Sequence, residues 1–451
     1  MALVAPFRGL HFNPAKVGNL TDVVTPPYDV IKPAEREMFA RRHPYNMVHL
    51  ILPEKLPGDD RLNNRYTRAA ALFRQWLHNE VFIRDPEPAY YLWQTAFDYQ
   101  GKRYTRNGLV ALVRLEPFSR GVILPHEQTF SAIKADRLEL MKQARAHFSP
   151  IFALFPDRQG HILRRLESAR PPQPLLTCED SQGLWHCLYR VTDPPCLAEV
   201  HQALAPLRLY IADGHHRYET CLALEKWFQG HYPDAPPQAS FHYTLMYLAN
   251  LYDSDLVIMM AHRLLKGPRL KHLEEGALLA RLAQYFEVKS VTPPGGDLQE
   301  YGEVLQQHLD THSPRETVFI MVGFGMKAWR LKLKEAVRQR LLARQMHPTL
   351  AALDVAVLNY LVFDKIMGLD AKAQDDPENC RYTTVISDAL AALKQGEIKL
   401  AFLLNPTRID QVREVAESGL IMPRKSTYFY PKVMTGLILH PIHVEETIVL
   451  P

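Results

Sequence analysis

Residues 207–228 read LRLYIADGHHRYETCLALEKWF, a stretch that predicts a strand, a tight turn and a helix. Leu207 to Ala212 is a short apolar run typical of a buried strand, and the apolar spacing after Gly214 is that of a helix. We expect Asp213 to cap this helix, because its carboxylate can accept hydrogen bonds from the first-turn N–H groups. Gly214 can adopt a positive φ angle or let the backbone approach a ligand closely.

The first turn of the predicted helix carries three consecutive donor side chains, those of His215, His216 and Arg217. A helix N-terminus already favours anions, because of its exposed N–H groups and its dipole. Two imidazoles and a guanidinium strengthen this preference, so the turn predicts a phosphate-binding site. Two alternatives stay open. Asp213 could only cap while the histidines pack or face solvent, or His215, His216 and Glu219 could bind a metal.

A second motif lies in residues 121–137, which read GVILPHEQTFSAIKADR. A short predicted strand is followed by His126 and Glu127, an imidazole and a carboxylate that could act as a general base or bind the Mg²⁺ that accompanies phosphates. Lys134 and Arg137 lie one turn apart on the predicted helix that follows. They are available to anionic groups, or else form part of a solvated helix face.

Helical and strand-like segments alternate along the whole chain, which predicts an α+β protein with a mixed sheet and several domains. Two strands, 89–99 and 103–115, are joined by Gln100-Gly101, a plausible hairpin turn. The other predicted strands are 121–124, 150–155, 184–192, 207–212, 241–250 and 255–260. The predicted helices are 64–78, 132–147, 215–229, 271–286, 300–311, 335–345, 350–366, 384–394 and 408–418. Boundaries near 115 and 265 divide the chain into domains 1–115, 116–265 and 266–451.

The composition excludes several classes of protein. The chain has 451 residues, 53 Lys+Arg against 49 Asp+Glu, and 47% apolar residues, which argues against a disordered chain. Five cysteines without a C-x-x-C pair argue against a disulfide scaffold or a zinc ribbon. There is no run of five like charges, so a nucleic-acid or polybasic membrane tail has little support. The longest apolar run, 256–261, is far shorter than the ~20 residues of a membrane helix. With no signal-peptide pattern at the N-terminus, we expect a cytoplasmic protein.

Three sequence boxes follow one another along the chain: PHEQ at 125–128, DGHHR at 213–217, and a long third box at 396–431 (GEIKLAFLLNPTRIDQVREVAESGLIMPRKSTYFYP). This set resembles the free serine kinases, which belong to the ParB/sulfiredoxin-like superfamily. The whole chain resembles more closely a widespread prokaryotic family of unknown function. In that family PFRGL, PPYDVI and YIADGHHRYET recur, here at 6–10, 26–31 and 210–220.

The kinase resemblance implies a ParB/sulfiredoxin-like core and phosphorylation of a small, serine-like hydroxyl metabolite with ATP or ADP and Mg²⁺. Glu127 would be the base beside His126, and Asp213 to Arg217 would hold the phosphates, with Asp213 as the Mg²⁺ ligand. The residues implied on the substrate side are Lys425, Ser426, Thr427 and Tyr218. Tyr428 and Phe429 stand where the kinases have an Arg-His pair. This departure from the kinase pattern removes cationic groups near the substrate and argues against free serine as the substrate.

Other functions and residues stay open. One alternative is a ParB-like nucleotide-binding regulator associated with DNA, for which the basic segment 330–345 is the candidate helix. Another is a metal-dependent hydrolase that uses the histidines. Asp29 follows a rigid Pro-Pro-Tyr turn and could cap a helix near Pro33 or line the site. His262 and Arg263 could add donors to a pocket or form a surface pair.

Overall fold

The computed structural model describes residues 1–267, 270, 272–293, 297–310 and 316–451. These residues form two compact units: the first is Met1–Val257 with Pro431–Pro451, and the second is Ile258–Tyr430. The predicted α+β class, with a large mixed sheet and several domains, is confirmed. The boundary predicted near 115 lies within the first unit, so the three-domain division stays a prediction.

Strands and helices alternate through both units. The strands are β1 (Val4–Ala5), β2 (Leu10–Phe12), β3 (Phe82–Arg84), β4 (Tyr90–Tyr99), β5 (Lys102–Arg114), β6 (Ile123–Leu124), β7 (Ala146–His147), β8 (Ile151–Phe155), β9 (Leu176–Glu179), β10 (Trp185–Val191), β11 (Leu209–Asp213), β12 (Tyr243–Asn250), β13 (Val257–Met259), β14 (His262–Leu265), β15 (Phe286–Val291), β16 (Val318–Gly323), β17 (Lys327–Leu333), β18 (Cys380–Thr383), β19 (Leu400–Leu404), β20 (Tyr428–Tyr430) and β21 (His440–Pro441).

The helices of the first unit are α1 (Pro14–Val17), α2 (Pro33–Arg42), α3 (Val48–Ile51), α4 (Arg65–His78), α5 (Ser131–Ala144), α6 (His161–Ala169), α7 (Pro194–Leu204) and α8 (His215–His231). Those of the second are α9 (Glu275–Tyr285), α10 (Leu298–Leu309), α11 (Glu335–Val337), α12 (Ala343–Gln345), α13 (Pro348–Ala351), α14 (Asp354–Val357), α15 (Ala371–Asp375), α16 (Ile386–Lys394) and α17 (Ile409–Glu417). Among the described residues, none of the helices combines the length and apolar character needed to cross a bilayer.

The first unit is built on a mixed sheet in the order β6-β11-β8-β12-β5-β4-β10-β9, with β1 paired to the end of β5. The pairs β6–β11 and β8–β12 are parallel, and the other neighbours are antiparallel. Every residue of β8 and β12 is buried, as expected for central strands covered on both faces. Apolar side chains of α6, α7 and α8 pack against the sheet in one buried cluster. Helix α8 begins two residues after the end of β11, so its first turn lies at the end of this strand.

The local predictions agree with the structure in most elements. Residues 89–99 and 103–115 form β4 and β5, and the connecting Gln100 and Gly101 have φ angles of 49° and 73°, the positive values that a two-residue hairpin requires. The strand and helix predicted in 207–228 are β11 and α8. The prediction that Asp213 caps α8 is wrong. Gly214 is the N-cap residue, with φ 93°, and Asp213 instead ends the strand.

The second unit contains an antiparallel sheet in the order β15-β17-β16-β19-β14-β18, with α10 and α16 against it. The predicted helix 335–345 is observed, and its middle part, Arg338–Leu342, is π-helical. The predicted helix 350–366 is interrupted near Leu353, where a new helix begins. Residues 330–333 of the basic segment belong to β17 rather than to a helix. Residues 271 and 311, which end two predicted helices, lie outside the described residues.

Candidate functional site

The two candidate motifs, His126-Glu127 and the DGHHR stretch at 213–217, lie at the same edge of the first unit's sheet. Strand β6 pairs in parallel with β11, with Ile123 opposite Leu209 and Leu124 opposite Tyr210. Both chains therefore emerge at adjacent carboxyl ends, the edge at which α/β sheets most often bind ligands. This parallel pairing brings the loop containing Glu127 to the first turn of α8.

Two imidazoles of α8 hold that loop in place. The backbone N–H of His126 donates to Nε2 of His215 at 3.2 Å, and the backbone N–H of Phe130 donates to Nε2 of His216 at 3.1 Å. An imidazole nitrogen that accepts a hydrogen bond carries no proton, so the proton of each neutral ring lies on Nδ1. The two histidines therefore position the loop through their acceptor nitrogens.

His215 and Glu127 form the core of the candidate site. His215 is buried, and burial together with the nearby His126 holds its pKa well below the usual value, so the ring is neutral at pH 7. Its Nδ1 atom lies 3.6 Å from Oε2 of Glu127. The Glu127 side chain is 31% exposed and can be reached from solvent. His126 is itself fully buried, and burial lowers its pKa to about 4. The arrangement can accept a proton at Glu127 beside a fixed neutral imidazole.

Asp213 lies between two cations. One oxygen accepts from Nη2 of Arg217 at 2.6 Å and the other from Nζ of Lys432. Burial alone would raise the pKa of Asp213, but Lys432 and Arg217 outweigh it and lower the pKa to about 2. Arg217 also donates through Nη1 to the carbonyl of Pro150. The result is an ionised carboxylate held between two cations.

Sequence reasoning missed Lys432. It lies 219 positions from Asp213 along the chain, and only folding brings the two together. The residue follows directly after the third box at 396–431, and this position is the one signal that could have drawn attention to it.

Several predicted site residues of the first unit have other partners. The Tyr218 hydroxyl donates to the Glu116 carbonyl at 2.7 Å and accepts from the Glu116 N–H at 2.9 Å, so it is held within the core. Lys134 pairs with Glu219. Arg137 donates to Asp136. These side chains fix α5 and α8 in position around the loop.

Asp29 is exposed, and the residue that caps the helix beginning at Pro33 is Lys32. The prediction that Asp29 caps α2 is therefore wrong. The N–H of Lys32 donates to the Glu35 carboxylate at 2.7 Å, which satisfies the start of this helix in another way.

The remaining predicted site residues belong to the second unit. Lys425 has a φ angle of 55°, and Thr427 is buried. The buried Ser426 hydroxyl donates to the Pro423 carbonyl at 2.5 Å.

His262 and Arg263 are buried in the sheet of the second unit. Nδ1 of His262 accepts from the N–H of Leu404 at 3.3 Å. The guanidinium of Arg263 donates to the Arg424 carbonyl at 3.0 Å and lies over the Tyr382 ring.

Among the described residues, no group of three or more His, Cys, Asp or Glu side chains is placed to hold a metal ion. Both oxygens of Asp213 are engaged by Arg217 and Lys432. Asp213 in this arrangement therefore does not fit the role of a Mg²⁺ ligand.

The fold and the site define an α+β protein with a carboxylate–imidazole pair at the edge of a mixed sheet. Residues 4–356 match the family described as "Protein of unknown function (DUF1015)", and the chain belongs to this family. A comparison with curated proteins found no match.

Solved structures show a distant likeness. A free serine kinase in complex with AMP is 14% identical with a TM-score of 0.36, covering 72% of this chain and 90% of its own. A conserved hypothetical protein from Pyrococcus furiosus is 16% identical with a TM-score of 0.31, covering 69% and 89%. SbnI with a C-terminal truncation, from Staphylococcus aureus, is 11% identical with a TM-score of 0.33, covering 72% and 85%. A likeness this distant identifies neither a substrate nor a reaction.

Proposed function

We propose that this protein is a nucleotide-dependent kinase of a small hydroxyl-bearing metabolite, built on a ParB/sulfiredoxin-like core in the first unit. The observation that carries the proposal is the position of Glu127, half-exposed and 3.6 Å from a buried, neutral His215 at the start of α8. A base must be reachable by its substrate and held in one orientation, and this carboxylate meets both requirements.

The surroundings of Glu127 favour an anionic ligand. Helix α8 begins directly after β11, and the N–H groups of a helix's first turn have no partners within the helix. The N-cap residue Gly214 has no side chain to bind them. Arg217 and Lys432 place two cations beside the carboxylate of Asp213. Cations at this position would attract a nucleotide phosphate and neutralise the charge that develops on it during phosphoryl transfer.

The reaction follows from these roles. The substrate hydroxyl gives its proton to the Glu127 carboxylate while its oxygen forms a bond to the terminal phosphorus. The bond from that phosphorus to the bridging oxygen breaks, and its electron pair leaves with the nucleotide. ATP would leave as ADP, and ADP as AMP. Mg²⁺ accompanies such nucleotides and would reduce the phosphate charge. No step is assigned to a metal held by Asp213, because Arg217 and Lys432 occupy its oxygens.

The test is nucleotide turnover by the full chain with ATP or ADP, Mg²⁺ and a panel of small hydroxyl metabolites. Glu127→Gln removes the base but keeps the shape, and we expect turnover to fall by roughly 10²- to 10⁴-fold. Nucleotide affinity, measured by calorimetry, should stay unchanged.

Glu225→Gln is the matched control. It alters another carboxylate–imidazole pair on α8, in which Oε1 of Glu225 lies 2.7 Å from Nδ1 of His242. This variant should turn over nucleotide like the parent protein. Absence of adenine-nucleotide binding at millimolar concentration, or equal turnover by Glu127→Gln and the parent, would refute the proposal.

A further inference from the structure

A cavity in the first unit is lined by residues from three separate parts of the sequence. Tyr28 comes from the PPYDVI stretch, Arg137 from α5, and Arg217 from the first turn of α8. Its other lining residues include Ser149 and Cys221. Apolar side chains complete the wall, namely Ile51, Leu140, Met141, Phe148 and Ile151. An apolar wall strengthens the effect of the few charged groups, because it keeps out screening water.

The cavity is rich in hydrogen-bond donors. A guanidinium has five N–H donors. Among the described residues, Arg137 uses three of its N–H groups in hydrogen bonds to Asp136 and the Ile51 carbonyl. Arg217 uses two of its N–H groups in hydrogen bonds to Asp213 and the Pro150 carbonyl. Both lining arginines therefore keep N–H groups for a further acceptor.

Tyr28 lines the same cavity and carries a hydroxyl group. The Arg137 guanidinium lies 4.5 Å from the centre of its ring, and burial with the neighbouring Asp29 raises its pKa to about 12. The phenol is therefore protonated at pH 7 and can donate.

Positive charge exceeds negative charge around the cavity. Each lining arginine is paired with a carboxylate. Asp136 pairs with both Arg137 and Arg65, so this group retains one positive charge. Arg217 pairs with Asp213, which Lys432 also contacts. Asp29 next to Tyr28 is exposed, so water screens its charge more strongly than those of the buried groups. The balance favours an anion.

The size of the cavity restricts the ligand. About 50 Å³ is open to the centre of a water molecule. A single water needs roughly 10–15 Å³ in this measure, so the space holds about four waters. This volume suits a phosphate or a small carboxylate and is far too small for a nucleotide.

We propose that the cavity lined by Tyr28, Arg137 and Arg217 is a binding site for a small oxyanion, a carboxylate or inorganic phosphate. Arg217 belongs both to this cavity and to the Asp213 group at the start of α8. A bound anion therefore contacts the same guanidinium that holds Asp213. The site does not depend on the proposed kinase activity.

Calorimetry of the full chain with lactate, inorganic phosphate and uncharged 1,2-propanediol tests the proposal. We expect one of the two anions to bind with one site per chain, and propanediol not to bind. Which anion binds identifies the source, carboxylate or phosphate. Arg137→Met should weaken binding by about tenfold or more, since it removes a charge-assisted hydrogen bond.

Two further variants sharpen the test. Ser149→Leu fills the cavity from a half-buried position without changing any charge, and should weaken binding to a similar extent. Lys142→Met removes another cation of α5, which pairs with Glu139 and does not line the cavity, so this variant should bind like the parent. The proposal is overturned if neither anion binds, if Ser149→Leu binds like the parent, or if Lys142→Met weakens binding as much as Arg137→Met.

Discussion

Nε2 of His215 accepts a hydrogen bond from the backbone N–H of His126 at 3.2 Å. This bond joins the end of one parallel strand to the first turn of the helix that follows its neighbour. With Nε2 occupied, the neutral ring presents its Nδ1 side to Glu127. The position of the proposed base therefore depends on a histidine that does not itself take part in the reaction.

His215→Ala tests this dependence. The change leaves the buried N–H of His126 without its acceptor, which costs about 1–3 kcal/mol in the free energy of unfolding. We expect nucleotide turnover to fall nearly as far as in Glu127→Gln, because the carboxylate loses its fixed position. Urea unfolding and turnover rates measure the two effects. His161→Ala, at an exposed position, should change neither. Full turnover by His215→Ala would contradict the positioning role.

Asp213 should be central to the stability of the first unit. Asp213→Asn leaves the buried Arg217 and the partly buried Lys432 without their shared carboxylate, and we expect a loss of about 3–5 kcal/mol in the free energy of unfolding. Lys432→Met should cost less, because Arg217 still neutralises the carboxylate. In the double variant the two losses should not add, which a double-mutant cycle in urea detects. Strict additivity would mean that the Lys432–Asp213 pair contributes nothing.

The same carboxylate predicts a response to acid. Its pKa is lowered from 3.8 to about 2 in the folded protein, so its stabilisation is present above pH 3.8 and is lost as the pH falls to 2. The size of this contribution is about 2 kcal/mol. Unfolding curves of the parent between pH 4 and pH 2 should show the loss, and Asp213→Asn should lack it.

Gly214 should tolerate no side chain. A Cβ atom there would lie 2.9 Å from Nε and Nη2 of Arg217, at a φ angle of +93°. Gly214→Ala should therefore cost at least the ~1–2 kcal/mol of a left-handed residue and displace Arg217 from Asp213. Gly230, in the same helix, has open space around its Cβ position. Gly230→Ala should stabilise the protein by ~0.5–1 kcal/mol, and thermal unfolding distinguishes the two. Equal stability of both variants would be incompatible with this geometry.

His440 is a buried residue that should reduce stability. Neither ring nitrogen has a hydrogen-bond partner among the described residues, and the ring is stacked on His147. Burial, with His147, Arg84 and His443 nearby, holds its pKa well below 6.5. The folded protein thus binds fewer protons than the unfolded chain below pH 6.5, so stability falls as the pH is lowered from there.

His440→Leu tests this prediction. The free energy of unfolding should rise by ~1–3 kcal/mol at pH 7, because an unsatisfied polar group is removed. The gain in the free energy of unfolding should be larger at pH 5, because the variant no longer loses stability through protonation of this histidine in the unfolded chain. His161→Leu at an exposed position is the control and should leave the pH dependence unchanged. A His440→Leu variant less stable than the parent at pH 5 would refute the prediction.

Sequence alone determined the elements that depend on local spacing. The hairpin between β4 and β5 follows from two alternating runs around Gln100-Gly101, and β11 with α8 follows from the change of period at Gly214. Such patterns are readable because each element's own backbone bonds and buried face repeat along a few neighbouring residues. The Glu127 and DGHHR motifs can also be recognised in the sequence, because each is a set of chemically active residues that are neighbours along the chain.

The tertiary structure decided how those motifs combine. Parallel pairing of β6 with β11 places Glu127 against His215, and the return of the chain at Lys432 brings a cation to the Asp213 carboxylate. Tyr28 and Arg137 meet Arg217 around one cavity although long stretches of chain separate them. Local sequence cannot specify these contacts, because a buried charge takes whichever partner the packed core brings within reach.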